Sequence, residues 1–418
     1  MTQAAPGSHA RVAAHAGITF AGLMAANVLG YVFYALVSRA LGVEGYGAFS
    51  SLVAMVLIVS APALISQTVV AKLASDFALD PERLSGLVRA VDRVTLVVAA
   101  VPALLLALAA VPLSRFLHLD APLLIVLAAC SLCGAIALPL LRGVLQGTSA
   151  FTAFSLSNIA EGLGKALCAP LGAYLFGLRG SLAGMAVGYA GAAFVTYLFG
   201  RPHGRAVPTH LSLRRIVRAS APVALAVFCV NVLLLYDVVL AKSYLSARTA
   251  GLYGAAALAG RAMYALLVFV PTVLLPQAAG RSARGERTRL LFAQAVAITL
   301  LVCACGAALF GLAPRFVVTV IAGRSFGDAA PFAFPYALAI SALATANVVA
   351  TYNIARGRMR FVAPLACVAL GEVIAVVLRH RSAADFLQTI TIGHTLALLA
   401  CASSLGGRTQ TRAAAERK

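Results

Sequence analysis

Five ionisable side chains sit where an apolar stretch should carry none: Glu161, Lys165, Asp237, Arg261 and Glu372. Each lies inside a long apolar run, and Arg39 marks the outer end of the first such run. A charge at mid-membrane costs roughly 3 kcal/mol or more, so such residues pair with one another or bind something. Glu161 and Lys165 are four apart and share a helix face. They read either as a structural ion pair or as a cavity-facing Lys165 tuned by Glu161. Asn158 extends that polar face inward, and Asn27 and Asn231 are further candidates for a polar cavity wall. Asp237 lies near the outer end of its run, and either exchanges an ion or pairs with Lys242 or Arg248. Arg261 lies about 16 Å inside its run, too deep to snorkel out, and needs an anionic partner. Glu372 has no charged neighbour within one turn. Desolvation favours its neutral form, which suits a proton carrier or a quiet hydrogen-bonded acid.

The chemistry these residues offer is anion binding with ion exchange. A carrier of organic cations needs acids alone in its cavity, whereas Lys165 and Arg261, with Arg39 outside them, suit a phosphate. Asp237, Glu161 and Glu372 are the ion-coupling candidates, for H⁺ or Na⁺. No G-x-x-x-x-G-K-[ST] motif appears, so an ion gradient is the expected energy source. No metal or cofactor is read from the chain. Cys130-x-x-Cys133 falls within an apolar run, as do all eight cysteines, and these read as small core residues.

The elements that must position these groups are membrane helices. The chain has 418 residues, 61% hydrophobic and 11% charged. Soluble domains carry about 25% charged residues. Apolar runs near 20 residues recur throughout, each long enough to span the bilayer as a helix. They segment as 17–37, 48–70, 94–113, 122–141, 151–176, 181–199, 216–241, 250–278, 290–312, 331–354, 361–378 and 384–405. The fold class is therefore all-α and polytopic, with about 12 transmembrane helices. The expected division is a six-helix lobe at 1–200, a linker at 201–215, a second six-helix lobe at 216–405 and a basic tail at 406–418.

The net charge of +20 resembles that of a nucleic-acid binder. Its distribution excludes that class. With the N-terminus inside, inner segments hold 22 Lys/Arg and outer loops 9, counting 201–218 as the linker and 142–150 as a loop. That is the positive-inside pattern, with both termini cytoplasmic and basic loops at the lipid headgroups. No cleavable signal peptide is read at the N-terminus. Residues 72–93 place Leu73, Phe77, Leu84, Leu87, Val88 and Val91 at helical spacing among charges, which predicts an amphipathic helix on the inner face. Outer loops are short, leaving no room for a catalytic domain.

The chain also repeats itself. Asn27-Val28-Leu29, Leu41 and Tyr46-Gly47-Ala48 return as Asn231-Val232-Leu233, Leu245 and Tyr253-Gly254-Ala255, at offsets of 204 and then 207. Pro62 and Gln67 find Pro271 and Gln277, and Gly147 and Phe151 find Gly357 and Phe361, with offsets rising to 210. Two related six-span halves about a pseudo-two-fold axis are the architecture of a secondary transporter. Gly180, Gly184 and Gly188, with Ala192, form a small-residue stripe for close helix packing. Prolines inside most spans, above all the repeat-related Pro62 and Pro271, are candidate bending points.

Three stretches resemble a known family. Ser38-Arg39-Ala40-Leu41-Gly42-x-x-Gly45-Tyr46-Gly47-Ala48-Phe49-Ser50 is similar to the first-loop signature of bacterial polysaccharide-biosynthesis membrane proteins. These are oligosaccharide-lipid flippases of the multidrug/oligosaccharidyl-lipid/polysaccharide exporter superfamily. Leu145 to Phe151, with Ser157-Asn158-Ile159 and Lys165, resembles the fourth-to-fifth span region, and Asp237 with Gly251-Leu252-Tyr253-Gly254 resembles the opening of the second half. The resemblance implies a flippase in the bacterial inner membrane. It would move polyprenyl-diphosphate-linked oligosaccharide outward by alternating access, with the diphosphate in a cationic cavity between the halves. Lys165 and Asp237 match family positions, whereas Arg261 and Glu372 rest on burial cost alone. The implied partners are lipid-linked oligosaccharide, membrane lipids, a polysaccharide polymerase and glycosyltransferases. Twelve spans depart from the fourteen common among lipid II flippases. An ion-coupled multidrug-type antiporter and a non-transporting scaffold docked through Arg281, Arg284, Arg287 and Arg289 are the rival readings.

Overall fold

The computed structural model describes the backbone of residues 6–200, 213–267, 269–284, 286 and 288–405. Side chains are described for 21–200 and 221–405, apart from 268, 272, 273, 275, 276, 283, 285 and 287. Helices α1 (Pro6–Asp76), α2 (Pro81–Leu108), α3 (Ala110–Phe116), α4 (Leu123–Gly147) and α5 (Phe151–Phe199) form the first part of the chain. Helices α6 (Leu213–Tyr244), α7 (Ala247–Leu267), α8 (Phe269–Ala283), α9 (Arg289–Leu312), α10 (Pro314–Ala322), α11 (Ala330–Ala355), α12 (Val362–Leu378) and α13 (Ala383–Ala402) form the second, with a 3₁₀ turn at Arg324–Ala329. Nine helices among the described residues are long and apolar enough to cross a membrane, and the 17-residue α12 is a shorter apolar one. Two of the nine, α1 and α5, each contain an internal break, which together with α12 makes twelve apolar segments among the described residues. The breaks fall at Gly42, with φ 66°, and at Phe176-Gly177, where the glycine has φ 60°. Left-handed φ is open to glycine at no steric cost, and beyond Gly177 the chain folds back so that Gly184 meets Cys168 and Gly188 meets Gly164.

One sequence expectation needs correcting. Residues 72–93 form no separate amphipathic helix. Instead α1 runs on to Asp76 and α2 starts at Pro81, with the Asp80 carboxylate accepting from Arg83 N at 3.1 Å. Asp80-Pro81-Glu82 is a helix start signal that cuts the periodic run in two. Leu87, Val88 and Val91 then face the protein interior as part of α2. Pro62, Pro102, Pro139, Pro170, Pro222 and Pro335 lie inside helices, and the two non-helical interruptions of α1 and α5 fall instead at Gly42 and Phe176-Gly177.

The chain forms two compact units. Unit 1 comprises Met1–Leu41 and Val59–Arg218, and unit 2 comprises Gly42–Ile58 and Ala219–Lys418. Within unit 1 the glycine stripe packs as its spacing predicts. A Cβ at Gly184 would collide with the Cys168 carbonyl, and one at Gly188 would meet Lys165 N at 2.7 Å. In unit 2 the two copies of the repeated motif touch. A Cβ at Gly47 would meet Gly251 N at 2.8 Å, one at Gly254 would meet Ser50 Oγ at 2.8 Å, and one at Gly251 would strike the Val43 carbonyl. Lipid tails are as apolar as Leu, so such close backbone approach, rather than hydrophobic burial, holds membrane helices together. This crossing explains why Gly42–Ile58 belongs to unit 2, an exchange that an even division near residue 200 does not anticipate.

Candidate functional site

Among the described residues, both units hold buried polar clusters with ionisable groups. In unit 1 the cluster is built on α5, where Ser157, Glu161 and Lys165 recur every fourth residue and so share one face. Lys165 Nζ lies 2.6 Å from Glu161 Oε1. The other oxygen, Oε2, lies 2.8 Å from Arg142 Nη1 on α4. Arg142 is further fixed by Nε donating to Ser157 Oγ at 2.8 Å and Nη2 donating to the Ser157 carbonyl at 2.9 Å. Ser157 in turn meets Thr196 Oγ1 at 2.5 Å, and Thr196 donates to Ala192 O. Lys165 also sits over the Tyr189 ring at 4.8 Å and the Phe33 ring at 5.9 Å from the centroids. The Gly164–Gly188 contact next to it brings Tyr189 close enough for this cation–π geometry. The side chains of Lys165 and Glu161 keep 16% and 19% exposure, against 8% for Arg142. Arg142 is thus the fixed cation and Lys165 the accessible one, and two cations share one carboxylate.

In unit 2, Asp237 on α6 is buried. Its Oδ1 lies 3.1 Å from Arg261 Nη2, and its Oδ2 accepts from Tyr253 at 3.0 Å and Tyr336 at 2.9 Å. Arg261 Nε donates to Leu234 O at 3.1 Å. The deep arginine therefore has the anionic partner its position requires, supplied by the protein. Arg248, one of the two cations weighed for Asp237, instead bonds Asp328 at 2.6 Å. The adjacent Tyr236 donates to Glu372 Oε1 at 2.8 Å, and His394 Nε2 lies 3.5 Å from the same oxygen. Glu372 Oε2 is buried without a hydrogen-bond partner. Both His394 nitrogens face backbone carbonyls, Nδ1 that of Ala339 at 3.0 Å and Nε2 that of Leu233 at 3.1 Å. A neutral imidazole has only one N–H, so a second proton fits this site on either the ring or the carboxyl. A cavity of about 490 Å³ between α12 and α13 reaches Glu372, with Arg379 and Thr389 also in its wall. Gly393 makes the room, because a Cβ there would collide with the Glu372 carboxyl.

The structure thus joins Glu161 to Lys165 and Asp237 to Arg261, and gives Glu372 partners from α6 and α13. The other predicted residues stay outside these clusters. Arg39 is exposed, with Nη1 donating to Ala35 O at 2.7 Å. Asn158 and Asn231 donate back along their own helices, to Phe154 O and Val227 O, and Asn27 is exposed on α1. Sequence reasoning missed Arg142 by assigning it to an inner loop. The apolar run actually continues through Gly143-Val144-Leu145, and that continuation was the available signal. It also missed His394, a lone imidazole at the middle of an apolar run.

No family model and no curated protein matches the chain. Solved structures do. The chain shares its fold, at low sequence identity, with solved membrane-transporter structures. One match is the inward-facing conformation of a multidrug resistance MATE family transporter of the MOP superfamily. It has a TM-score of 0.75 and 13% identity, over 96% of this chain and 98% of that one. A second is the lipid II flippase MurJ in an inward closed conformation, with TM-score 0.70 and 13% identity over 94% and 87%. A third is the eukaryotic MATE transporter AtDTX14, with TM-score 0.60 and 17% identity over 96% and 97%.

Proposed function

We propose that the chain is a flippase that moves a polyprenyl-diphosphate-linked oligosaccharide across the bacterial inner membrane by alternating access, for surface polysaccharide assembly. The observation that carries this reading is the unit 1 cluster. Arg142 and Lys165 against Glu161 leave one positive charge in excess, partly accessible and deep within a transporter fold. A diphosphate matches that excess, and an organic cation does not. In unit 2, Arg261 is a further candidate cation, available if Asp237 is neutralised, and Arg39 of unit 1 is an outer contact. Coupling is assigned to H⁺ or Na⁺ exchange. Glu372 with His394 is the favoured site because no arginine or lysine is bonded to its carboxyl. Asp237 follows, and Glu161 comes last, since two cations already neutralise it. The arginine excess of the inner loops supports cytoplasmic termini. A polymerase and glycosyltransferases are the expected partners.

The test is translocation of lipid-linked oligosaccharide from the inner to the outer leaflet by the K165A/R261A variant. Loss of outer-leaflet glycan with the protein still inserted is the expected result. Normal translocation would remove the cationic-site reading. The likeness to MATE transporters keeps a multidrug-type antiporter as a second reading. It predicts normal surface glycan and altered sensitivity to lipophilic cations when the chromosomal copy is deleted.

A further inference from the structure

The turn between α11 and α12 gathers cations without an acidic partner among the described residues. Arg356, Arg358 and Arg360 follow the end of α11. Gly357 takes φ 67°, which folds the chain back so that Arg358 N donates to Asn353 O at 2.8 Å. Arg356 Nη1 then donates to Tyr352 OH at 3.3 Å, with its guanidinium 5.8 Å from that ring's centroid. Tyr352 OH is itself held by Thr288 Oγ1 at 2.8 Å. Arg358 Nη1 donates to Leu405 O at 2.5 Å. The Nε atoms of both arginines are buried without a hydrogen-bond partner. Burial and the neighbouring Arg356 charge pull the Arg358 guanidinium below the usual arginine range. The ion pairs of the described residues include neither side chain.

The internal repeat supplies an independent comparison. At the offset of 210 set by Gly147 and Gly357, Arg356 and Arg358 correspond to Gln146 and Thr148. Those two are neutral and satisfied: Gln146 accepts from Gln67 at 3.0 Å, and Thr148 donates to Val144 O at 2.9 Å. The first copy closes this corner with its own groups. The second places two guanidinium groups there, arginine keeps its proton under all ordinary conditions, and two donors stay open. A cost of that kind is relieved by an oxyanion that both forks can grip.

We propose that Arg356 and Arg358 form a phosphate-binding site at the end of α11, taking the headgroup phosphate of an anionic phospholipid. The positive-inside count assigns this turn to the cytoplasmic side, where such headgroups lie. The site does not depend on the identity of the transported substrate.

The test uses the purified full chain in nanodiscs of phosphatidylcholine with rising phosphatidylglycerol, reading thermal stability and retained lipid by native mass spectrometry. Phosphatidylglycerol is expected to be retained and to raise the melting temperature. Its affinity should fall about fivefold for each arginine removed, so about 25-fold in R356Q/R358Q. R356K should keep most of the effect, and R315Q on α10 should keep all of it. R356Q alone keeps the test open should the double variant fail to fold, because the Arg356 side chain bonds the Tyr352 hydroxyl, whereas that of Arg358 holds the Leu405 carbonyl. The same stabilisation by inorganic phosphate or pyrophosphate in pure phosphatidylcholine supports the site and names free phosphate as its source. Equal behaviour in the two lipids with no response to phosphate overturns the proposal, as does an unchanged phosphatidylglycerol preference in R356Q and R356Q/R358Q.

Discussion

Replacing Arg142 by glutamine should weaken diphosphate binding, and removing Glu161 as well should restore it. Wild-type unit 1 holds two cations against one carboxylate, a net charge of +1 in the cluster. R142Q leaves Lys165 and Glu161 to neutralise each other. E161Q leaves two cations, and R142Q/E161Q returns the cluster to +1 on Lys165 alone. An incoming phosphate about 6–8 Å from the lost charge, at an effective dielectric near 20, feels about 2–3 kcal/mol per unit charge. That is roughly a 30- to 150-fold change in Kd. The expected order of affinity is E161Q, then wild type together with R142Q/E161Q, then R142Q. The assay is equilibrium binding of radiolabelled undecaprenyl diphosphate to purified protein in detergent, with melting temperature measured in parallel. R142Q also loses two bonds to Ser157, worth about 1.5–3 kcal/mol each because they involve a charged group, so it should melt earlier. The double variant does not regain those bonds. Restored affinity with persistently lowered stability therefore separates charge from packing. If R142Q binds as tightly as wild type, or the double variant binds as weakly as R142Q, the excess-charge argument fails.

Two further outcomes follow from unit 2. E372Q keeps an acceptor for Tyr236 but cannot release a proton, so gradient-driven transport into proteoliposomes should fall at least tenfold while downhill exchange continues; equal loss of both would assign Glu372 to structure alone. G251V places a branched side chain against the Val43 backbone, and overpacking of this kind costs about 1–3 kcal/mol, read as a lowered melting temperature and reduced insertion. Wild-type stability in G251V would mean that the crossing of the two repeat motifs is not tight.

The helices were legible because the bilayer demands them: an apolar run near 20 residues has few other fates in lipid. The glycine stripe at Gly180, Gly184 and Gly188 was legible for the same reason, since small residues on one face serve close packing. The Glu161–Lys165 pair followed from helix periodicity alone. Partners supplied by other helices did not follow. Arg142 reaches Glu161 across α4 and α5, and His394 reaches Glu372 across α13 and α12. Those contacts depend on helix rotation and neighbour order, neither of which local periodicity fixes. Asp237 shows the limit most clearly. Arg248, nearer in sequence, bonds Asp328, and Arg261, 24 residues on from Asp237, is its ion-pair partner.

The contact of Gly47 with Gly251 also sets a schedule for biosynthesis. The helical stretch Gly42–Ile58 enters the membrane near the start of translation, yet its packing partners in unit 2 lie beyond residue 218. Roughly 200 residues must be made in between, which at about 5–20 residues per second takes on the order of 10–40 s. During that interval its glycine face meets lipid or the insertion machinery instead of α7. The second repeat thus completes a structure that the first has already begun, and a nascent chain truncated at the linker would leave that stretch without its partner.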